Sequence, residues 1–149
     1  MSLFRKQYSS TVKIEAPVEL VWEILKDTDS YYRWNTFTTK VDLSWEIGSP
    51  VKMEVAMKPN RSPIKQTEYL TQYVEHQRLA WGMKWWPILF AERTQELVPD
   101  DSGCVYKTVD TITGPFTPIV DLMYGRYIQA GFDRICHGLK QEAENTLVG

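Results

Sequence analysis

The N-terminal part of the chain alternates weakly and then changes to a helical spacing. Polar and apolar positions alternate from Tyr8 to Glu15, which predicts a strand. A helix follows from Pro17, whose missing N–H does no harm at a first helical position, to near Asp27. Its apolar residues recur at i, i+3, i+4 and i+7 and are Val18, Val21, Trp22 and Leu25. A second helix, of one turn, is predicted around Tyr31 to Trp34.

From Thr38 onward the apolar positions recur with a period of two, which predicts strands. Six strands follow one another, separated by short turns rich in Pro, Gly, Asn and Asp. The predicted strands are Thr38 to Trp45, Val51 to Met57, Ile64 to Glu75, Leu79 to Trp85, Leu89 to Val98 and Cys104 to Thr113. Consecutive strands joined by turns predict an antiparallel meander.

The C-terminal part predicts one long helix, with Thr117 as its N-cap and Pro118 at its first position. Its apolar stripe consists of Ile128, Phe132, Ile135, Leu139 and Ala143. About thirty residues at ~1.5 Å each span roughly 45 Å, which is enough to cross a whole domain. A sheet with one apolar face needs a cover, and this helix is the only predicted element large enough to provide it.

The composition fits one globular domain and excludes several other classes of protein. The 149 residues suit a single domain, and 43% of them are hydrophobic and 24% charged. No apolar run approaches the ~18 residues of a membrane span, and Met1 to Tyr8 lacks the apolar stretch of a signal peptide. We therefore expect a cytoplasmic protein, a monomer or weak homodimer, without stable membrane insertion. The net charge of −2 and the scattered positive residues argue against a nucleic-acid partner.

The cysteines and histidines do not predict a metal site. Cys104 and Cys136 are far apart and lack metal-type spacing, so they are interpreted as buried, reduced thiols. His76 and His137 are the only histidines. We expect neither a metal nor another cofactor.

Several short motifs occur in a fixed order from about Ser10 to Glu144. They are Ile14-Glu15-Ala16-Pro17, Val21-Trp22, Asp27 with Tyr32 and Trp34-Asn35, Gly48, Leu79-Ala80-Trp81, Gly114, Gly131-Phe132 and Leu139-Lys140. In this order the chain resembles the START-related SRPBCC superfamily, in its polyketide cyclase/dehydrase and lipid-transport branch. The resemblance implies one α+β domain over residues 1–149 with a helix-grip fold. In that fold a curved seven-stranded antiparallel sheet surrounds a long C-terminal helix, and two short helices follow the first strand.

The resemblance implies a cavity between sheet and helix, but no particular reaction. Members of the superfamily carry lipids, bind hormones, cyclise polyketides or chaperone partners on one scaffold. Two departures also concern the pocket. Thr36 replaces the Pro that the family usually has after the Trp-Asn pair, and Arg93 and Gln95 stand where a His and a Phe are common. We therefore expect this chain to share the fold of the superfamily but not the chemistry of its pocket.

Aromatic residues make up 13% of the chain and either fill a core or line a ligand pocket. Both interpretations are open for an apolar set on one strand and on the last helix, namely Trp81, Met83, Trp85, Phe132 and Ile135. Gly125, Gly131 and Gly138 each cost the last helix on the order of 1 kcal/mol relative to Ala. A cavity beside the helix or close packing against the sheet would compensate for that cost.

Polar residues on the last strand are further candidates for ligand contact. If Tyr106, Thr108, Asp110 and Ile112 face inward, a carboxylate enters an apolar interior. Burial would raise the pKa of Asp110, and a nearby cation would lower it. We expect Asp110 to find a hydrogen-bond donor there.

The preferred donor to Asp110 is Arg93, with Tyr106 or Tyr69 as the alternative. Arg93 faces inward only if the odd positions of its strand do so, whereas the opposite parity would place Glu92 inside. Phe90 and Val98 favour that opposite parity, so the facing of this strand stays open.

The mouth of the pocket is predicted from the alternation of turns in a meander. The turns Pro59–Pro63 and Trp85–Ile88 and the entry to the long helix lie at the same end of the sheet. Exposed apolar clusters usually mark a binding surface. We therefore expect Trp86 and Phe116 to act as lid residues and Met123 to line the throat, the alternative being a plug of packed side chains.

These observations favour binding of a small hydrophobic molecule that is lipid-, polyketide- or aromatic-like. No Ser/His/Asp arrangement, Cys–His pair or phosphate loop is present, and catalytic residues are not assigned. One alternative is a polyketide cyclase or dehydratase that orients its substrate and moves protons with Asp110, Tyr106 or Tyr69. The other is an interaction module that binds a partner protein or a quinone.

Overall fold

A computed structural model describes residues 3–148 of the chain. Its elements are β1 (Arg5–Ile14), α1 (Val18–Lys26), a 3-10 helix (Thr28–Arg33), β2 (Thr38–Asp42), β3 (Pro50–Val55), β4 (Ile64–Val74), β5 (Arg78–Trp85), β6 (Leu89–Pro99), β7 (Cys104–Thr113) and α2 (Thr117–Val148). Within these residues the strands form one antiparallel sheet in the order β1-β7-β6-β5-β4-β3-β2. The meander is therefore confirmed, and β1 extends it by pairing with β7.

The sheet curls around α2, as the helix-grip prediction requires. The strand residues expected inside are buried, except that Met83 is only partly so. The buried members are Val51, Met53, Val55, Leu79 and Trp81 on the strands and Phe132, Ile135 and Leu139 on the helix. Lys52 and Lys84 lie on the outer face and are exposed. This alternation confirms the predicted facing of β3 and β5.

The C-terminal half of α2 closes a solid core. Its apolar side packs with α1 in one cluster that includes Val21, Trp22, Leu25, Ile135, Leu139 and Ala143. Two hydrogen bonds to β1 and to the segment after it hold this half in place. Lys140 Nζ donates to the carbonyl of Lys13 at 3.1 Å, and the backbone N–H of Glu15 donates to Glu144 Oε2 at 2.8 Å. The cavity between the sheet and α2, described below, accordingly extends along the helix only as far as Phe132.

Two helix glycines allow the segment before β2 to approach α2 closely. A Cβ on Gly138 would lie 2.1 Å from the carbonyl oxygen of Trp34, and one on Gly131 would lie 2.3 Å from the ring of Phe37. Close packing therefore compensates for Gly131 and Gly138, and the partner is the segment before β2 instead of the sheet itself. The Phe37 ring in turn lies edge-on to Phe132, with ring centres 6.0 Å apart.

The Trp-Asn motif has a structural explanation at the same place. The buried Asn35 Oδ1 accepts hydrogen bonds from the backbone N–H groups of Phe37 and Thr38, at 3.1 and 2.8 Å. An Asx-type turn of this kind satisfies backbone donors where β2 begins. The side chain of Asn35 thus fixes the path of the chain beside α2.

Several element boundaries differ from the prediction. Strand β2 ends at Asp42 and not at Trp45 as predicted. Trp45 has a positive φ of 66°, which is incompatible with an extended strand. Helix α2 begins at Thr117 itself, and the N–H of Val120 donates to the carbonyl of Phe116. The Thr117 hydroxyl is buried without a partner among the described residues, so Thr117 is not the N-cap.

The second predicted helix and the first helix also shift slightly. The one-turn helix expected at Tyr31 to Trp34 is a 3-10 helix over Thr28–Arg33. Pro17 precedes α1 with extended backbone angles, so it caps the helix rather than occupying its first position. Strand β3 ends at Val55 because the chain then turns toward β4.

The close approach at Gly138 predicts a loss of stability in Gly138→Ala. An added Cβ would overlap a backbone carbonyl, which has little freedom to move, so we expect the free energy of unfolding to fall by roughly 1–3 kcal/mol in urea titrations. Gln141→Ala, at an exposed position of the same helix, should change it by less than about 0.5 kcal/mol. A Gly138→Ala protein more stable than the wild type, as helix propensity alone demands, would contradict the packing argument.

Candidate functional site

The facing of β6 and β7 brings several polar side chains inside the sheet. The odd positions of β6 face inward, since Arg93, Gln95 and Leu97 are buried. Glu92 lies on the outer face, where its carboxylate accepts a hydrogen bond from Thr71. In the strand register, Arg93 stands directly opposite Asp110.

A cavity of about 280 Å³ lies between the sheet and the N-terminal half of α2. Its walls are mainly apolar and include Met53, Val55, Trp81, Met83, Ile128 and Phe132. The polar groups that reach it from the sheet are few: Thr38, Gln66, Glu68, Arg93 and Asp110. A pocket with many apolar and few polar contacts is typical of a small-molecule site.

Arg93 is the fixed positive charge of this cavity, and its side chain is only 7% exposed. Its Nε donates to Thr108 Oγ1 at 2.9 Å, and one Nη donates to Tyr106 Oη at 3.4 Å. The guanidinium lies 4.9 Å from the ring centre of Phe132 and 5.9 Å from that of Trp81, which are cation–π distances. Neutral partners therefore hold the charge in place.

The expected hydrogen bond between Arg93 and Asp110 is not formed. Among residues 3–148, no carboxylate oxygen lies within 4.0 Å of a nitrogen of Arg93. The reason is that the guanidinium is directed along the sheet to the hydroxyls of Thr108 and Tyr106. Tyr69 cannot replace it, because it lies on the outer face and is half exposed.

Two carboxyl groups in the cavity have raised pKa values. Burial, and to a smaller extent the Asp110 charge, raise the pKa of Glu68 to about 7, against the opposing effects of a 2.7 Å hydrogen bond from Gln66 Nε2 and of the Arg93 charge. Burial also raises the pKa of Asp110, to about 6, against the opposing effect of Arg93. Both groups therefore titrate near neutral pH, where each can donate or accept a proton.

Residues 5–144 match the family described as polyketide cyclase/dehydrase and lipid transport. The chain belongs to this family. No curated protein sequence gives a significant match.

Solved structures with the same fold include members named as aromatase/cyclases. The chain is similar to the Zhui aromatase/cyclase from Streptomyces sp. R1128, with a TM-score of 0.77 and 17% identity over 96% of each chain. It is also similar to the di-domain ARO/CYC StfQ from the steffimycin biosynthetic pathway, with a TM-score of 0.76 and 12% identity. That match covers 99% of this chain and 53% of StfQ. Protein MLL2253 from Mesorhizobium loti gives a TM-score of 0.73 and 18% identity, over 95% of this chain and 98% of that one.

Nine residues are predicted from the sequence as ligand contacts, and five of them line the cavity. These five are Trp81, Met83, Arg93, Asp110 and Phe132. Tyr106 and Thr108 are fully buried and contact Arg93 rather than the cavity. Ile135 belongs to the solid core. Trp85, at the end of β5, is 53% exposed and packs on Phe116, so it lies outside the cavity.

The residues expected at the mouth also lie outside the cavity lining. Trp86 is 79% exposed and packs on Phe90, Phe116 packs on Trp85, and Met123 is 48% exposed on α2. The lining instead includes partly exposed side chains at the β3–β4 connection and on the first turns of α2. These are Met57, Ile64, Val120 and Tyr124.

Glu68 is a cavity residue that was not predicted from the sequence, although the alternation along β4 indicates its facing. Strand β4 has its buried Leu70 at an even position, so the parity rule places Ile64, Gln66 and Glu68 on the same inward face. A carboxylate two residues from a buried leucine could therefore have been recognised as a cavity residue. The obstacle was the bulge after Leu70, which obscures the alternation in the second half of the strand.

Other candidate groups stay apart from the cavity. Cys104 and Cys136 are free and buried, and His76 and His137 are exposed. Within residues 3–148, no three His, Cys, Asp or Glu side chains are arranged to hold a metal ion. Over the same residues, neither α-helix is long and apolar enough to cross a membrane.

The raised pKa of Glu68 predicts a pH-dependent effect of Glu68→Gln on stability. The folded state holds the proton more tightly than the unfolded state, so wild-type stability decreases as the pH rises from about 4.5 to about 7. The glutamine variant lacks this loss and should be more stable than the wild type at about pH 8, by at most roughly 3 kcal/mol, and nearly equal at about pH 4.5.

Urea unfolding at the two pH values measures this difference. Glu75→Gln removes a carboxyl from an exposed turn and serves as the matched control, with no expected pH-dependent difference. An identical effect of Glu68→Gln at both pH values would show that Glu68 titrates in the same range in the folded and unfolded states.

Proposed function

We propose that this protein binds a small, largely apolar molecule with one acidic or strongly polar group in the cavity between the sheet and α2. The observation that carries the proposal is the guanidinium of Arg93, which faces a mainly apolar cavity and has no carboxylate oxygen within 4.0 Å among the described residues. A buried charge is costly unless it is paired. A ligand anion would supply the pairing.

The dimensions and the walls of the cavity support a small-molecule ligand. Its volume of about 280 Å³ is close to the lower limit of roughly 300 Å³ for small-molecule pockets. Trp81 and Phe132 offer flat apolar surface close to the guanidinium. A ring-containing or short acyl ligand therefore fits better than a long lipid, and an open cavity of this kind favours a metabolite over a partner protein.

The two carboxyl groups add a way to recognise a hydroxyl or carbonyl group. Near neutral pH, Asp110 and Glu68 are each divided between the neutral and the charged form, so they can donate to a carbonyl or accept from a hydroxyl. Membership of a family described by polyketide cyclisation and lipid transport supports a ligand with such oxygen groups.

A second candidate function is polyketide cyclisation or dehydration. Asp110 and Glu68 have pKa values suited to general acid–base work, and they share the cavity with a cation that can stabilise an enolate oxygen. The aromatase/cyclases with this fold support the idea by analogy. In such a reaction a carbon–carbon bond forms between a carbanion and a carbonyl, and water then leaves.

Filling the cavity should abolish ligand binding. Val120 lines it from α2, and Val120→Trp would occupy much of its volume. We expect the affinity for 1-anilinonaphthalene-8-sulfonate, an aromatic sulfonate, to fall at least about tenfold in fluorescence titrations, a loss of ~1.4 kcal/mol. Met123→Trp, at an exposed position on the same helix, is the matched control and should leave the affinity unchanged.

A neutral analogue without the sulfonate, N-phenyl-1-naphthylamine, separates the roles of cavity and cation. Arg93→Met should weaken binding of the sulfonate about tenfold while binding of the neutral analogue changes little. Equal affinities of the two tryptophan variants for both probes would show that the cavity is not the binding site.

The enzymatic alternative has its own test. An acyclic poly-β-ketone incubated with the protein should yield a cyclised product that has lost one water, detected by mass spectrometry. Asp110→Asn and Glu68→Gln should each lower the initial rate at least about tenfold, and Glu75→Gln should not. A wild-type protein that binds the ketone and returns it unchanged would leave binding as the function.

A further inference from the structure

A second pocket of about 560 Å³ lies beside the cavity, between the β3–β4 connection and α2. It is called the basic pocket here because its lining includes four cationic side chains: Lys58, Arg61, Arg126 and Arg134. Within the described part of the chain, no Asp or Glu belongs to this lining. The chain as a whole carries a net charge of −2, so the concentration of positive charge here is local.

Arg134 is held in this pocket by uncharged groups. Its Nε donates to Thr36 Oγ1 at 3.0 Å, and an Nη donates to the carbonyl of Ala56 at 3.5 Å. Its guanidinium also lies 5.7 Å from the ring centre of Phe37. These contacts fix the direction of the guanidinium without neutralising its charge.

Lys58 and Arg126 are positioned in the same way by two tyrosines. Lys58 Nζ lies 5.1 Å from the ring centre of Tyr124 and 5.5 Å from that of Tyr127. Arg126 donates from an Nη to Tyr127 Oη at 2.9 Å and stacks 4.9 Å from the same ring. Lys58 is therefore ordered by two aromatic faces, and Arg126 by one aromatic face and a phenol oxygen.

Six of the seventeen Lys and Arg side chains form an ion pair with a carboxylate, and none of these six lines the basic pocket. Lys40, Arg78 and Lys140 each lie within 4.0 Å of a carboxylate oxygen. Among residues 3–148, no such partner lies within that distance of the four cations of the basic pocket. Like charges that line one pocket without counter-ions repel one another, and a bound multivalent anion would offset that repulsion.

We propose that the basic pocket binds a phosphate group. A phosphate carries up to two negative charges and several acceptor oxygens, which matches a pocket lined by several guanidinium groups better than a carboxylate does. The basic pocket does not require the ligand proposed for the cavity, but the two pockets adjoin each other. Met57 lines both of them, and Tyr124 lies between Lys58 and the cavity. The phosphate belongs either to a free phosphate compound or to a phospholipid headgroup, and these share the same chemistry.

Titration with inorganic pyrophosphate, followed by isothermal calorimetry at low ionic strength, tests the site directly. Arg126→Gln and Arg134→Gln should each weaken binding at least about fivefold. Lys107→Gln removes an exposed cation from β7, outside the pocket, and is the matched control with unchanged affinity. Arg134→Lys keeps the charge but loses the two-pronged geometry, so its affinity should be intermediate.

Two results would overturn the proposal. One is pyrophosphate binding that Arg126→Gln and Arg134→Gln leave unchanged. The other is an equal loss in Lys107→Gln, which would mean that only net charge matters. Circular dichroism and thermal melting of each variant show that the fold is retained, and Lys58→Gln replaces either arginine variant that does not fold.

A second arm identifies the source of the phosphate. Monomeric dihexanoyl phosphatidic acid carries the same group on two short acyl chains, and its binding is compared in wild type and Val120→Trp. If Val120→Trp no longer binds this lipid but still binds pyrophosphate, the phosphate belongs to a lipid whose acyl chains enter the cavity. Equal binding of the lipid in both proteins assigns it to a free phosphate compound.

Discussion

The inner face of the sheet is organised around one buried charge, the guanidinium of Arg93. Removing such a group from water is unfavourable unless polar groups replace the lost hydration. Here Thr108 and Tyr106 accept hydrogen bonds from it, and Trp81 and Phe132 offer their ring faces. Because these partners are neutral, the charge remains available to whatever enters the cavity, and its field acts on both carboxyl groups nearby.

That field and the burial of the carboxyl groups act in opposite directions. Arg93 favours the ionised forms of Glu68 and Asp110, but desolvation exceeds this effect and leaves both pKa values raised. The cavity thus contains one permanent charge and two that depend on pH, within an apolar wall. Its electrostatic character is set by three side chains on β4, β6 and β7, and the helix contributes the apolar surface that strengthens their interaction.

The sequence predicted the order of elements and the helix-grip arrangement because periodicity and turn residues are local signals. It could not decide the facing of β6, since Phe90 and Val98 suggest one parity and the structure has the other. The cavity was only partly predictable for the same reason. Which of several inward aromatic residues touches a void depends on how α2 sits on the sheet, and that is fixed by contacts between distant segments, such as Gly131 with Phe37.

The long helix is divided along its length between two tasks. Its second half is packed with α1 and β1, whereas in its first half Val120, Tyr124, Ile128 and Phe132 border open space. Changes at Val120 and Tyr124 alter the shape of the cavity, while the contacts of the second half still hold the helix on the sheet. The lining of the cavity can therefore change while the fold persists, which agrees with structures that share this fold at 12–18% identity.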